Sequence, residues 1–232
     1  MYPMAEKNQL SKPDLNVPQV KVCGLTRVAE ALACLDAGVD AIGLVFYPPS
    51  PRFVLTAQAA EIAAAVSERA VTVGVFVDET YETIIRYAED CQLQAVQLHG
   101  QESPAMVRRL RRHNLTVIKT LFHTRKPFFT GAADYDASAF LLECGSGRLP
   151  GGNAASWPWQ TARDIDRDKP VILAGGLSPE NVSTAIHRGL PDAVDVSSGV
   201  ESVPGRKNSA QIKSFLKAVA ASGHPMPTRR IF

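Results

Sequence analysis

The sequence predicts a single (β/α)8 barrel, the TIM-barrel architecture, with the helix after the fifth strand short or missing. Three observations support this. Eight short apolar runs recur along 232 residues, and continuous apolar strands belong to parallel sheets covered on both faces. Ala- and Leu-rich amphipathic segments separate most of them. The Gly-x-Gly-x-x-Gly turn expected early in a doubly wound open sheet, the competing fold, is absent.

The elements follow in order. Residues 20–22 read as a strand and 28–36 as a helix, capped by Thr26 and ended by Gly38. Residues 41–45 form a strand and 57–68 a helix; 72–77 a strand and 81–90 a helix, with Asp78 as a candidate cap. Residues 95–98 form a strand, then Ser103 caps a helix over 104–112. Residues 116–120 form the fifth strand. The stretch 121–138, with Pro127, Gly131 and paired Phe128 and Phe129, has no helical period. Residues 139–142 form the sixth strand, and Trp157 and Trp159 are expected to pack the following helix onto the barrel. Residues 171–174 form a strand, and a helix over 179–188 follows a Ser178 cap. Residues 193–196 form the last strand and 210–220 the last helix. The domain reading is a flexible arm over 1–18, one barrel over 19–222, and a loose tail over 223–232.

Composition narrows the function. A net charge of +2, with no basic stripe and no zinc-finger or RNP-like motif, argues against nucleic acid. The run Arg108, Arg109, Arg111, Arg112 closes a helix, where cations face the negative end of its dipole. Cysteines 23, 34, 91 and 144 have neither CxxC nor metal spacing. They read as reduced thiols of a cytoplasmic protein, with no metal. No 18-residue apolar stretch or signal sequence points to a membrane.

Chemistry is expected where such barrels place it, at the strand C-termini. Cys23 ends the first strand in Lys-Val-Cys-Gly-Leu-Thr-Arg, and Lys21, two residues back, shares its face. A neighbouring ammonium favours thiolate; the alternative is a cysteine packed as a small hydrophobe. Arg52 follows a proline-stiffened loop and can grip a carboxylate with two parallel hydrogen bonds. Glu143 ends an apolar strand, where desolvation suits a carboxyl to act as an acid. Ala-Gly-Gly-Leu-Ser-Pro and Asp-Val-Ser-Ser-Gly-Val-Glu follow strands seven and eight, the usual phosphate-binding position. Gln97 and His99 share a face after strand four, and Lys119 ends strand five. His113, His123, His187 and His224 have no partner legible in the sequence.

Taken together, Lys-Val-Cys-Gly-Leu-Thr-Arg, Gly-Leu-Val-Phe-Tyr-Pro-Pro-Ser-Pro-Arg, Val-Gly-Val-Phe-Val, Val-Gln-Leu-His-Gly, Ala-Gly-Gly-Leu-Ser-Pro-Glu-Asn-Val and Asp-Val-Ser-Ser-Gly-Val-Glu occur in order over residues 20–201. This set resembles the phosphoribosylanthranilate isomerases of tryptophan biosynthesis. The resemblance implies an Amadori rearrangement of N-(5-phosphoribosyl)anthranilate to its 1-deoxyribulose isomer, without a cofactor. It implies Cys23 as general base, Arg52 on the anthranilate carboxylate, backbone groups of Gly175, Gly176, Ser198 and Gly199 on the phosphate, and Lys21, Gln97, His99 and Asp195 in support. Monomers and homodimers both occur in the family.

The sequence departs from the family where it matters most. The family's general acid is an aspartate at the end of strand six, and Glu143 stands there, longer by one methylene. A shift of the loop through Gly151–Trp159 is the expected compensation. Two other readings stay open: a catalytically impaired phosphoribosyl-ligand binder, or another phosphosugar isomerase. The related isomerase of histidine biosynthesis would want carboxylates ending strands one and five, where Cys23 and Lys119–Thr120 stand. An epimerase would want a metal cluster.

Overall fold

The computed structural model describes residues 16–147, 156–165 and 168–232. Eight parallel strands close into a barrel in sequence order: β1 (Gln19–Cys23), β2 (Ala41–Val45), β3 (Val71–Phe76), β4 (Ala95–Leu98), β5 (Thr116–Phe122), β6 (Ala139–Glu143), β7 (Val171–Leu173) and β8 (Ala193–Val196). β8 returns to β1 in register, Asp195 opposite Lys21. Helices α1 (Val28–Ala37), α2 (Thr56–Val66), α3 (Tyr81–Asp90), α4 (Pro104–Arg111), α5 (Val182–Gly189) and α6 (Ser209–Ser222) surround it. A hairpin of β9 (Glu201–Val203) and β10 (Arg206–Lys207) follows β8.

The defective fifth unit is confirmed: a single 3-10 stretch, Phe129–Asp134, stands after β5. The sixth unit differs from expectation. Its described part is a 3-10 turn over Trp159–Asp164 rather than a helix, and Trp157 lies before it. Three cap assignments also change. Ser103 caps α4 as expected, but Thr26 donates to the Gly205 carbonyl and Arg27 occupies the α1 cap without a side-chain bond. Thr80 caps α3, while Asp78 accepts from the Gln101 amide of the next loop. α5 starts at Val182, because Asn181 bonds back to both Ser178 N and Gly176 O and holds 178–181 as a turn.

The outward faces of the strands join the helices in one large core, and the inward faces form a second. The inner layer is lined by small side chains, among them Ala41, Ala95, Ala139 and Ala193. That leaves room at the N-terminal mouth, and Phe232 fills it from below. Residues 223–232 are therefore not a loose tail. The Gln19 side chain bonds the main chain of Ile231 and Phe232 at 2.7–3.0 Å. Arg229 pairs with Asp192 at 2.9 Å. The apolar end Ile231–Phe232 has an apolar hole to enter, which tail composition alone does not reveal. The proposed arm 1–18 lies mostly outside the described residues.

Above the alanine layer the interior turns polar. Lys21, Cys23, Gln97, Thr120, Glu143 and Asp195 stand on inward positions, all buried. This layer faces the C-terminal mouth and forms the floor of the candidate site.

Candidate functional site

An open-topped cavity occupies the C-terminal mouth. Its lining joins residues that the sequence keeps far apart: Cys23 from β1, Arg52 from the loop after β2, Gln97 and His99 from β4, Glu143 from β6, Gly175 and Gly176 after β7, and Asp195 and Ser198 from β8 and its loop. Lys21 stands below Cys23. Gly199 is the exception among the expected phosphate contacts, since it does not line the cavity. A Cβ there would meet the Leu177 carbonyl oxygen at 1.9 Å, so this glycine lets the loops after β7 and β8 touch.

At the β1 side, Lys21 is wholly buried and its Nζ lies 3.0 Å from Asp195 Oδ1. Burial alone lowers the Lys21 pKa; the Asp195 carboxylate and Cys23 more than reverse this and hold the ammonium above the usual lysine range. Burial, and to a lesser extent the Asp195 carboxylate, push the Cys23 thiol up, while Lys21 and Lys207 pull it back. Cys34, buried in α1 away from the cavity, is pushed up to about 12. Gly43 of β2 pairs in register with Cys23, and a Cβ on it would sit 2.7 Å from Cys23 Sγ. The absence of a side chain there makes the space the thiol occupies.

Across the cavity, Glu143 Oε2 lies 2.9 Å from His99 Nε2. His99 Nδ1 in turn meets Gln97 Nε2 at 2.8 Å and Thr120 Oγ1 at 3.0 Å. With the imidazole proton on Nε2, His99 donates to the carboxylate and accepts from the amide and hydroxyl. Trp157 donates from Nε1 to the Ala174 carbonyl at 2.8 Å and, with Glu143 Cγ, closes over Gly175. Trp157 thus supports the cavity wall instead of a sixth helix. Of the loop through Gly151–Trp159, residues 151–155 lie outside the described residues.

Lys119 turns away from this cavity. Its Nζ bonds Glu102 at 2.8 Å and the carbonyls of Leu98 and Gly100, tying the ends of β4 and β5 together. Two residues in the site went unassigned by sequence reasoning. Glu201 takes Arg52 in a two-pronged bond, Nε–Oε1 2.8 Å and Nη2–Oε2 2.7 Å. Lys207 Nζ approaches the same Glu201 Oε1 at 2.6 Å. The last residue of Asp-Val-Ser-Ser-Gly-Val-Glu was the available signal for Glu201; nothing local marks Lys207. Among the described residues no cluster of His, Cys, Asp and Glu could hold a metal, and no helix is long and apolar enough to cross a membrane.

Comparison with known proteins agrees with this geometry. The family described as N-(5'phosphoribosyl)anthranilate (PRA) isomerase matches residues 20–218. An N-(5'-phosphoribosyl)anthranilate isomerase of Desulfatibacillum aliphaticivorans is 49% identical over 92% of this chain and 98% of its own length. The crystal structure of phosphoribosyl anthranilate isomerase from Thermotoga maritima superposes with a TM-score of 0.80 at 37% identity, covering 88% of this chain and 98% of that one. A phosphoribosyl anthranilate isomerase in complex with reduced 1-(o-carboxyphenylamino)-1-deoxyribulose 5-phosphate matches at TM-score 0.78 and 37% identity, over the same shares of both chains.

Proposed function

This chain belongs to the N-(5'-phosphoribosyl)anthranilate isomerase family and catalyses the isomerisation that names it, an Amadori rearrangement, and we propose that Cys23 is the general base and Glu143 the general acid of that reaction. The observation that carries the assignment is the shared cavity. Cys23 from β1 and Glu143 from β6 line it together with Arg52 and the loops at 175–176 and 198.

The substrate's two anionic ends find separate partners in the cavity lining. Arg52 holds the anthranilate carboxylate. Backbone groups of Gly175, Gly176 and Ser198 hold the phosphate, and Gly199 keeps their loops together. The ribose then lies between thiol and carboxyl, and such positioning can supply a large share of a rate enhancement.

The carboxyl of Glu143 gives its proton to the ribose ring oxygen. The C1′–O bond breaks, and the amine lone pair forms a C1′=N iminium. Cys23, as thiolate, takes the C2′ proton; those electrons form C1′=C2′ and neutralise the nitrogen. The enolamine loses its C2′ hydroxyl proton and gains one at C1′, giving the ketose. Atoms balance with no cofactor. His99 positions Glu143 by holding Oε2, with Gln97 and Thr120 fixing the imidazole, and leaves Oε1 for the sugar. Lys21 and Asp195 support Cys23, since the ammonium favours thiolate and the aspartate keeps the ammonium in place. The demand for a free thiol suits a reducing cytoplasm.

The test is loss of anthranilate fluorescence when the protein meets freshly generated N-(5-phosphoribosyl)anthranilate, with the ketose identified. The wild type converts it, and Cys23→Ala abolishes conversion. Equal conversion by Cys23→Ala would remove the base assignment.

A further inference from the structure

Arg52 is held on one edge only. Glu201 occupies its Nε and Nη2, and among the described residues no group is hydrogen-bonded to Nη1. The side chains are nearly inaccessible, at 7% exposure for Arg52, 4% for Glu201 and 0% for Lys207. Below Arg52 lies Gly24, where a Cβ would come within 2.4 Å of Arg52 Cδ. The guanidinium therefore lies in a slot with a glycine floor and a carboxylate at its inner end.

The carboxylate is itself fixed. Lys207 Nζ contacts Glu201 Oε1 at 2.6 Å and the Ser197 carbonyl at 3.1 Å. Lys207 pairs opposite Glu201 in the β9–β10 hairpin. That hairpin leans on the neighbouring loops: the Gly205 carbonyl accepts from Thr26 Oγ1 at 3.0 Å, and Gly205 packs against the Pro51 carbonyl. One carboxylate shared by two cations neutralises Arg52 only in part. Nη1 keeps contact with solvent and so stands ready to bond a second anion.

We propose that Glu201, anchored by Lys207, is a positioning residue that aims the Nη1 edge of Arg52 and so selects a substrate bearing a carboxylate on its aromatic amine. The proposal rests on the reading of Arg52 as the carboxylate's partner. Its consequence is selectivity: losing Glu201 weakens recognition of the carboxylate and leaves recognition of the phosphoribosyl end intact.

Two probes separate the possibilities: reduced 1-(o-carboxyphenylamino)-1-deoxyribulose 5-phosphate, and the same reduced compound made from aniline. Titration calorimetry gives the affinity ratio between them. The wild type prefers the carboxylated probe by about 10- to 100-fold, and Arg52→Ala brings the ratio near one. Glu201→Gln lowers the ratio by about tenfold and leaves the aniline probe within about twofold of wild type. In Arg52→Ala/Glu201→Gln the ratio falls no further than in Arg52→Ala alone. If Arg52→Ala keeps the preference, the Arg52 reading fails and the proposal with it. If Arg52→Ala loses the preference but Glu201→Gln keeps it, the proposal alone fails; the same holds if both probes weaken equally, as a merely structural role would require. Should Glu201→Gln not fold, Glu201→Asp, which keeps the charge and withdraws it by one methylene, decides by the same ratio: a lowered ratio supports the proposal and an unchanged one overturns it.

Discussion

Replacing Gly43 with alanine tests whether the position of Cys23 carries the chemistry. The two residues are in register on β1 and β2. The added methyl would stand 2.7 Å from Cys23 Sγ and 3.1 Å from its Cα. Ordinary contact needs about 3.5–4.0 Å, so the sulfur must yield by about 1 Å. The backbone cannot give way readily, because both strands are hydrogen-bonded on both sides within a closed barrel. A displacement of about 1 Å at a reacting group costs about 10²-fold, equivalent to about 2.7 kcal/mol of lost transition-state stabilisation. Overpacking adds a stability cost of about 1–3 kcal/mol, which leaves a barrel of this size folded. The assay is kcat/KM by anthranilate fluorescence, beside a thermal melt and titration with the reduced product analogue. The expected variant is folded, binds the analogue within a few-fold of wild type, and turns over about 100-fold more slowly. Near wild-type turnover in a folded Gly43→Ala protein would refute the reasoning, since the thiol would then tolerate displacement.

Two further outcomes concern the base and the barrel floor. Burial raises the Cys23 thiol, and only the thiolate is alkylated, so the rate of iodoacetamide labelling at Cys23, followed by mass spectrometry, climbs as pH rises and is still rising near pH 9, where an ordinary thiol is already mostly ionised; a labelling rate that levels off below about pH 7 would contradict this. Phe232→Ala empties the hole beneath the alanine layer and lowers stability by about 3 kcal/mol, read as a fall in Tm of roughly 6–12 °C, while kcat of the folded fraction stays at the wild-type value because the floor lies at the opposite mouth from the cavity.

The fold was largely legible because its signals are local. Continuous apolar strands, the cap at Ser103 and the broken period over 121–138 each need only a few neighbouring residues. The helix cap at Asn181 was missed because Ser178 offers an equally good capping side chain, and the choice falls to the turn that Asn181 closes onto Gly176. In the site, strand ends named Cys23, Glu143 and His99 because period and topology decide which residues reach the mouth. They could not name Glu201 as the partner of Arg52, 149 residues away, nor Phe232 as the floor plug held by Gln19, 213 residues away. Both depend on how remote segments meet once the barrel has closed. Lys119 shows the converse: β5 runs on to Phe122, and Lys119 shares the outward face of Val117 and Leu121, so it points away from the cavity and pairs with Glu102.

The most direct test of the central claim, a Cys23–Glu143 acid–base pair with glutamate as the acid, is Glu143→Gln. The amide keeps the size of the side chain and can still accept from His99, but it cannot give a proton to the ring oxygen. Turnover of N-(5-phosphoribosyl)anthranilate is measured together with affinity for the reduced product analogue. The account predicts turnover lower by about 10²- to 10⁴-fold and analogue affinity within about threefold of wild type. Turnover within tenfold of wild type would contradict it and place the acid elsewhere.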